Sequence, residues 1–119
     1  MAAEGFHELP GNLPPRTQDL HRAIRSLMEE LEAVDWYQQR ADAATDDALR
    51  VVLAHNRDEE KEHAAMILEW IRRQDPVFDT QLRKYLFTTE PIAGHEVSSK
   101  TAAISMPKSS VGSLRGGAQ

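Results

Sequence analysis

Residues 49–70, LRVVLAHNRDEEKEHAAMILEW, decide how this chain folds. Leu49, Leu53, Asn56, Glu60, His63, Ile67 and Trp70 recur every third or fourth position, the period of one helix face. Both ends of that stripe are apolar, so the helix has a side to bury. Its centre instead carries an amide, an acid and an imidazole. A carboxylate taken out of water without a partner is costly enough to neutralise, move to the surface or find a cation. The seam therefore predicts both a helix and a polar site within it.

Working toward the N-terminus, Ala44-Thr45-Asp46-Asp47 interrupts the pattern with turn and cap residues, so this helix is expected over about Asp46 to Gln74. A second periodic run, Leu20, Ile24, Leu27, Leu31 and Val34, predicts an earlier helix from an N-cap at Thr17, with Asp19 in its first turn, to about Ala41. The short connection makes the two antiparallel neighbours. Toward the C-terminus, Asp75-Pro76 pairs a cap residue with proline at the first helical position and opens a shorter helix through Phe87. The expected fold is all-α: an antiparallel two-helix hairpin plus a short C-terminal helix. Residues 1–15, with Pro10, Gly11, Pro14 and Pro15, read as a disordered arm, 16–92 as the helical domain, and 93–119 as a flexible Ser/Thr/Ala/Gly tail.

Composition narrows the function. In 119 residues with 28% charged and 6% aromatic side chains there is little with which to fill a large core, so association of copies is expected. With no cysteine, disulfides, thiolate metal sites and cysteine nucleophiles are excluded. Residues 1–87 hold 11 Lys/Arg against 17 Asp/Glu, an acidic balance that argues against nucleic acid or an anionic membrane and suits metal cations. The N-terminus has neither a basic segment nor an apolar run, and an unexported, soluble protein is expected.

On the first helix Glu30 lies about 60° round from Leu27 and about 40° from Val34, at the edge of the apolar face, where it can point inward. Tyr37 falls on the same line, whereas Glu29, Glu32 and Trp36 form a second line about 100° away. Carboxylate di-metal sites in four-helix bundles take one Glu from each of two helices and Glu-x-x-His from each of the other two. This chain has one of each, Glu30 and Glu60-x-x-His63, and so encodes half a site. A two-fold dimer would complete the bundle and place the metals at its interface. Carboxylate oxygens with one imidazole per metal favour iron or manganese over zinc, and redox-active iron is the first choice.

Plainer readings stand beside this one. Residues 57–63 also read as a solvated face with Glu59 pairing His63, Trp36 and Tyr37 as core or interface aromatics, and Glu29 and Glu32 as exposed acids. His55, Glu59 and Glu62 share another face, where an outer metal site competes with simple exposure. His7, His21 and His95 stand apart from any cluster. A helical scaffold or adaptor whose polar seam sets register is the rival function, and a rubrerythrin-like peroxide consumer is weakened by the missing cysteines.

The runs Met28-Glu29-Glu30-Leu31-Glu32-Ala33-Val34-Asp35-Trp36-Tyr37 and Ala54-His55-Asn56-Arg57-Asp58-Glu59-Glu60-Lys61-Glu62-His63-Ala64-Ala65-Met66 resemble the two signature segments of encapsulated ferritin, the ferritin-like cargo of encapsulins. The resemblance spans about residues 17–92. It implies half of a ferritin-like four-helix bundle completed by dimerisation, and a ferroxidase (EC 1.16.3.1) that oxidises Fe2+ with O2 at a di-iron centre built by Glu30, Glu60, His63 and Tyr37 of two chains. It also implies that Glu29, Glu32 and Trp36 flank a cation entrance, able to hold Ca2+ or another divalent ion, and that His55, Glu59 and Glu62 form an outer site. Dimers assembling into a ring, a decamer, are implied, with mineral stored in the encapsulin nanocompartment of the bacterial cytoplasm. Val111, Gly112, Ser113, Leu114 and Arg115, within a segment near 109–116, resemble the shell-targeting peptide. Ser109 replaces an apolar anchor often found there, which weakens each docking contact, although many copies on one assembly compensate.

Overall fold

The computed structural model describes residues 5–94, and all of its described secondary structure is helical: a 3-10 turn at Pro10–Asn12, α1 (Pro15–Ala43), α2 (Asp47–Gln74) and α3 (Pro76–Tyr85). Residues from 95 onward, among them His95 and the targeting residues Val111 to Arg115, lie outside the described residues. The chain divides into two compact units at Ile71 and Arg72. The first holds the 3-10 turn, α1 and most of α2, and the second holds α3.

The start of α1 differs from expectation. The helix begins at Pro15, with extended Pro14 as its N-cap, and Thr17 lies inside it. Proline suits the first helical turn because its φ is preset and its missing N–H would have no helical partner there. No side chain caps this helix start; Gln18 Nε2 instead donates to the carbonyls of Pro10 and Leu13, both at 3.0 Å, tying the 3-10 turn to the helix. The helix also runs two residues past Ala41, to Ala43.

At the hairpin turn, Asp46 caps α2 by accepting from the Leu49 N–H at 2.9 Å, and Arg50 Nη2 donates to the Ala44 carbonyl at 2.8 Å. Farther along, Arg57 Nη1 of α2 donates to Gln38 Oε1 of α1 at 2.9 Å. The buried apolar side chains among the described residues are Ala41, Ala64 and Ile71. By contrast Met28, Leu31, Val52 and Met66 are each more than half exposed, and Leu49 and Trp70 of the central stripe are 49% and 40% exposed. The seam expected to be buried is therefore partly open, because each helix can shield its neighbour along only one line of contact. No described helix is long and apolar enough to cross a membrane.

In the second unit Asp75 caps α3 by accepting from the Phe78 N–H at 3.0 Å, and Pro76 opens the helix as expected. The helix ends at Tyr85 rather than Phe87, because Leu86 is extended and Phe87 has turned to φ 62°, the left-handed region. Asp79 accepts from Arg72 and from Arg83, and these hydrogen bonds hold its carboxyl below the usual carboxylate range. A carboxyl that titrates lower folded than unfolded contributes stability that is complete above the ordinary carboxylate range and fades as pH falls through the folded value. Asp79→Asn is expected to lower the helicity and melting temperature at neutral pH, with the gap to the parent closing on acidification. An acid titration followed by circular dichroism measures this, and a gap that ignores pH would refute the charge contribution.

Candidate metal centre

Glu30 faces α2 from the edge of the α1 apolar line, and Glu60 and His63 are one turn apart on α2, so the hairpin brings the three side chains together. His63 Nδ1 lies 3.2 Å from Glu60 Oε1 and 3.8 Å from Glu30 Oε1. One ligand atom from each of the three lies within 4.8 Å of the others. Donors sharing one divalent ion at about 2.1 Å stand about 3 to 4.2 Å apart, so small side-chain rotations close the group onto a cation. Glu60 and Glu30 are 23% and 26% exposed and His63 is 46% exposed, leaving the trio open on one side.

The two carboxyls are pushed in opposite directions by each other. The Glu30 carboxyl is raised, first by its hydrogen bond to Glu60, then by burial and by repulsion from the Glu60 charge. Glu60 is lowered, chiefly because it accepts from Glu30 and also from His63. His63 is raised by its hydrogen bond to Glu60 and by the charges of Glu60, Glu30 and Glu59. Two acids this close cannot both ionise cheaply in isolation, and a bound cation is what would allow it. Two carboxylates and an imidazole are the donor set of iron and manganese sites, and they fit a hard or borderline divalent ion.

The other acidic and histidine candidates lie outside this three-residue group. Tyr37 is half-buried, and the Arg40 guanidinium lies 5.5 Å from its ring centroid and 5.8 Å from that of Trp36. Arg40 was absent from the sequence reading. Its spacing of three and four residues from two aromatics was the available signal. Glu29, Glu32 and Trp36 are exposed on the neighbouring line, and Glu29 adds to the upward push on Glu30. At the outer face His55 Nε2 is 3.9 Å from Glu59 Oε2, with both side chains at least half exposed, and Glu62 is exposed. Among the described residues, neither of these groups gathers three metal-binding atoms as Glu30, Glu60 and His63 do.

Comparison with known proteins identifies the family. A family profile described as EncFtn-like matches residues 5–89. The chain is 56% identical over 98 residues to an encapsulated ferritin-like protein of Rhodospirillum rubrum, covering 82% of this chain and 70% of that protein. It is 40% identical over 74 residues to an encapsulin nanocompartment cargo protein of Myxococcus xanthus, covering 60% of this chain and 55% of that one. A crystal structure of a protein from Nitrosomonas europaea superposes with a TM-score of 0.74 at 62% identity, over 76% of this chain and 99% of that one. A helical hairpin carrying a Glu and a Glu-x-x-His, matched over nearly all its described length, places this chain in the EncFtn-like family of encapsulated ferritin-like proteins.

Proposed function

We propose that this protein is a ferroxidase, taking Fe2+ as substrate and O2 as electron acceptor at a centre that two chains build together. The observation that carries the reading is the convergence of Glu30, Glu60 and His63 on a face that one hairpin leaves open. A two-fold axis through that face supplies a second trio, giving four carboxylates and two imidazoles around two metal positions. Glu60 bridges the metal positions, Glu30 is a terminal ligand, His63 gives the nitrogen donor, and Tyr37 neighbours the site.

The charge balance supports oxidation followed by release. Four carboxylates neutralise two Fe2+ ions, so a filled ferrous site is an uncharged inclusion in a low-dielectric interface. Each iron gives one electron to dioxygen and gains a unit of positive charge that the ligands do not balance, which favours handing Fe3+ on toward mineral. The upward push on the Glu30 carboxyl from Glu60 reflects the repulsion in the empty trio that a cation would relieve. Glu29, Glu32 and Trp36 gather cations at the entrance, Ca2+ among them, and His55, Glu59 and Glu62 form a weaker outer site.

The relatives' names, encapsulated ferritin-like protein and encapsulin nanocompartment cargo protein, support a place inside an encapsulin shell. The segment from 93 onward links the helical domain to that shell through Val111, Gly112, Ser113, Leu114 and Arg115, and dimers associate further into a ring, a decamer. Oxygen uptake on Fe2+ addition, with metal analysis of the assembled protein, tests the activity. Iron-dependent uptake at two irons per pair of chains is expected. Absence of such uptake would leave a helical scaffold, with Glu60 and His63 setting register alone, as the better reading.

A further inference from the structure

We infer that Gln38 and Arg57 are positioning residues of the metal centre, fixing the axial register of α2 on α1 so that Glu60 and His63 stand opposite Glu30; this rests on the metal-binding reading above. Facing helices with small or apolar contacts have little to stop them sliding. One residue of slip is about 1.5 Å, whereas a metal site tolerates departures of only about 0.2 Å in its ligand distances. The buried alanines nearest the trio, Ala41 and Ala64, offer only methyl groups against such a slip, and the one larger buried side chain among the described residues, Ile71, lies near the far end of α2. A directional bond is an obstacle, since hydrogen bonds fail steeply with length and angle.

The Arg57 Nη1 to Gln38 Oε1 bond, 2.9 Å long and partly buried, crosses from α2 to α1 between the hairpin turn and the trio. Both of its ends are themselves held. Gln38 Nε2 donates to Asp42 at 3.0 Å, which aims Oε1 toward α2, and Arg57 Nε donates to Asp58 at 2.9 Å. The Arg57 side chain is 20% exposed, so its apolar stem is packed rather than free in water. A helical side chain leans toward the N-terminus of its helix, which for α2 is the turn, and this lets Arg57 reach Gln38 while Glu60, one turn on, reaches Glu30. With Arg50 pinning Ala44 at the turn, the hairpin has two separated anchor points, enough to fix both slide and rotation.

Gln38→Leu removes the acceptor and keeps the volume. In the full chain, Co2+ titration read by visible absorbance should show apparent affinity at least about tenfold weaker, the scale seen when groups that orient ligands are lost. Gln38→Glu keeps an acceptor for Arg57 and should restore it. Adding Arg57→Met to Gln38→Leu should cause no further loss, because both remove the same bond. Arg57→Met alone carries the same expectation should Gln38→Leu not fold. Parental Co2+ affinity in the leucine variant, a Gln38→Glu variant as weak as Gln38→Leu, or additive losses would each overturn the positioning role alone. A parent chain that takes up no Co2+ would overturn the metal centre and this inference with it.

Discussion

Replacing His63 with alanine should slow Fe2+ oxidation by at least about a hundredfold, since losing groups that merely orient a ligand already costs 10- to 100-fold. The chemistry of the trio explains the size of the effect. His63 is its one nitrogen donor, within 3.2 Å of Glu60 and 3.8 Å of Glu30, and no other imidazole joins the described cluster. Its side chain is 46% exposed, so truncation leaves little cavity and the hairpin should keep its helicity. Glu30→Ala should act as strongly for a different reason. It removes the contribution of α1, after which Glu60 and His63 share a helix face but enclose nothing. Stopped-flow absorbance at the onset of ferric formation, with circular dichroism as a check on folding, measures both. Parental rates in either folded variant would refute the site.

The second large effect is on assembly. Metal that binds ligands from two chains binds the dimer and not the separated hairpin, so by linkage a hundredfold excess over the dissociation constant favours the assembled state by about 2.7 kcal/mol. Sedimentation of the metal-free chain under nitrogen should therefore shift to larger species on addition of Fe2+. In Glu60→Ala the shift should vanish. Glu30 and His63 both titrate above their ordinary ranges and must be deprotonated to ligate, so the response should strengthen as pH rises through their titrations. A distribution of species indifferent to Fe2+ would favour the scaffold.

Much of this was legible because helical periodicity fixes angle. The phase of Glu30 relative to Leu27 and Val34, and of Glu60 and His63 within the α2 stripe, is enough to bring three residues from two helices together. Caps were equally readable where an acid preceded the helix, as with Asp46 and Asp75. The start of α1 was not, because Pro14 and Pro15 look alike as arm residues while only the second lies in the helix. Nor was the end of α3, where a left-handed Phe87 interrupts an apolar run that the pattern would have continued. Contacts made by long side chains escaped as well. Arg57 meets Gln38 and Arg40 lies over Tyr37 through extended stems whose reach is set by packing, not by period.

That two of the three buried residues among those described are alanines inverts the usual pattern of mutational tolerance at those positions. An ordinary domain is most easily harmed by truncating its interior, since large side chains leave holes. Here Ala41 and Ala64 have almost nothing to lose, and the sensitive direction is enlargement: each added methylene must push neighbouring atoms apart. Variation toward bulk at these two positions would widen the hairpin and draw Glu30 away from Glu60, so the space left empty by two methyl groups is as much a determinant of the centre as the groups that line it.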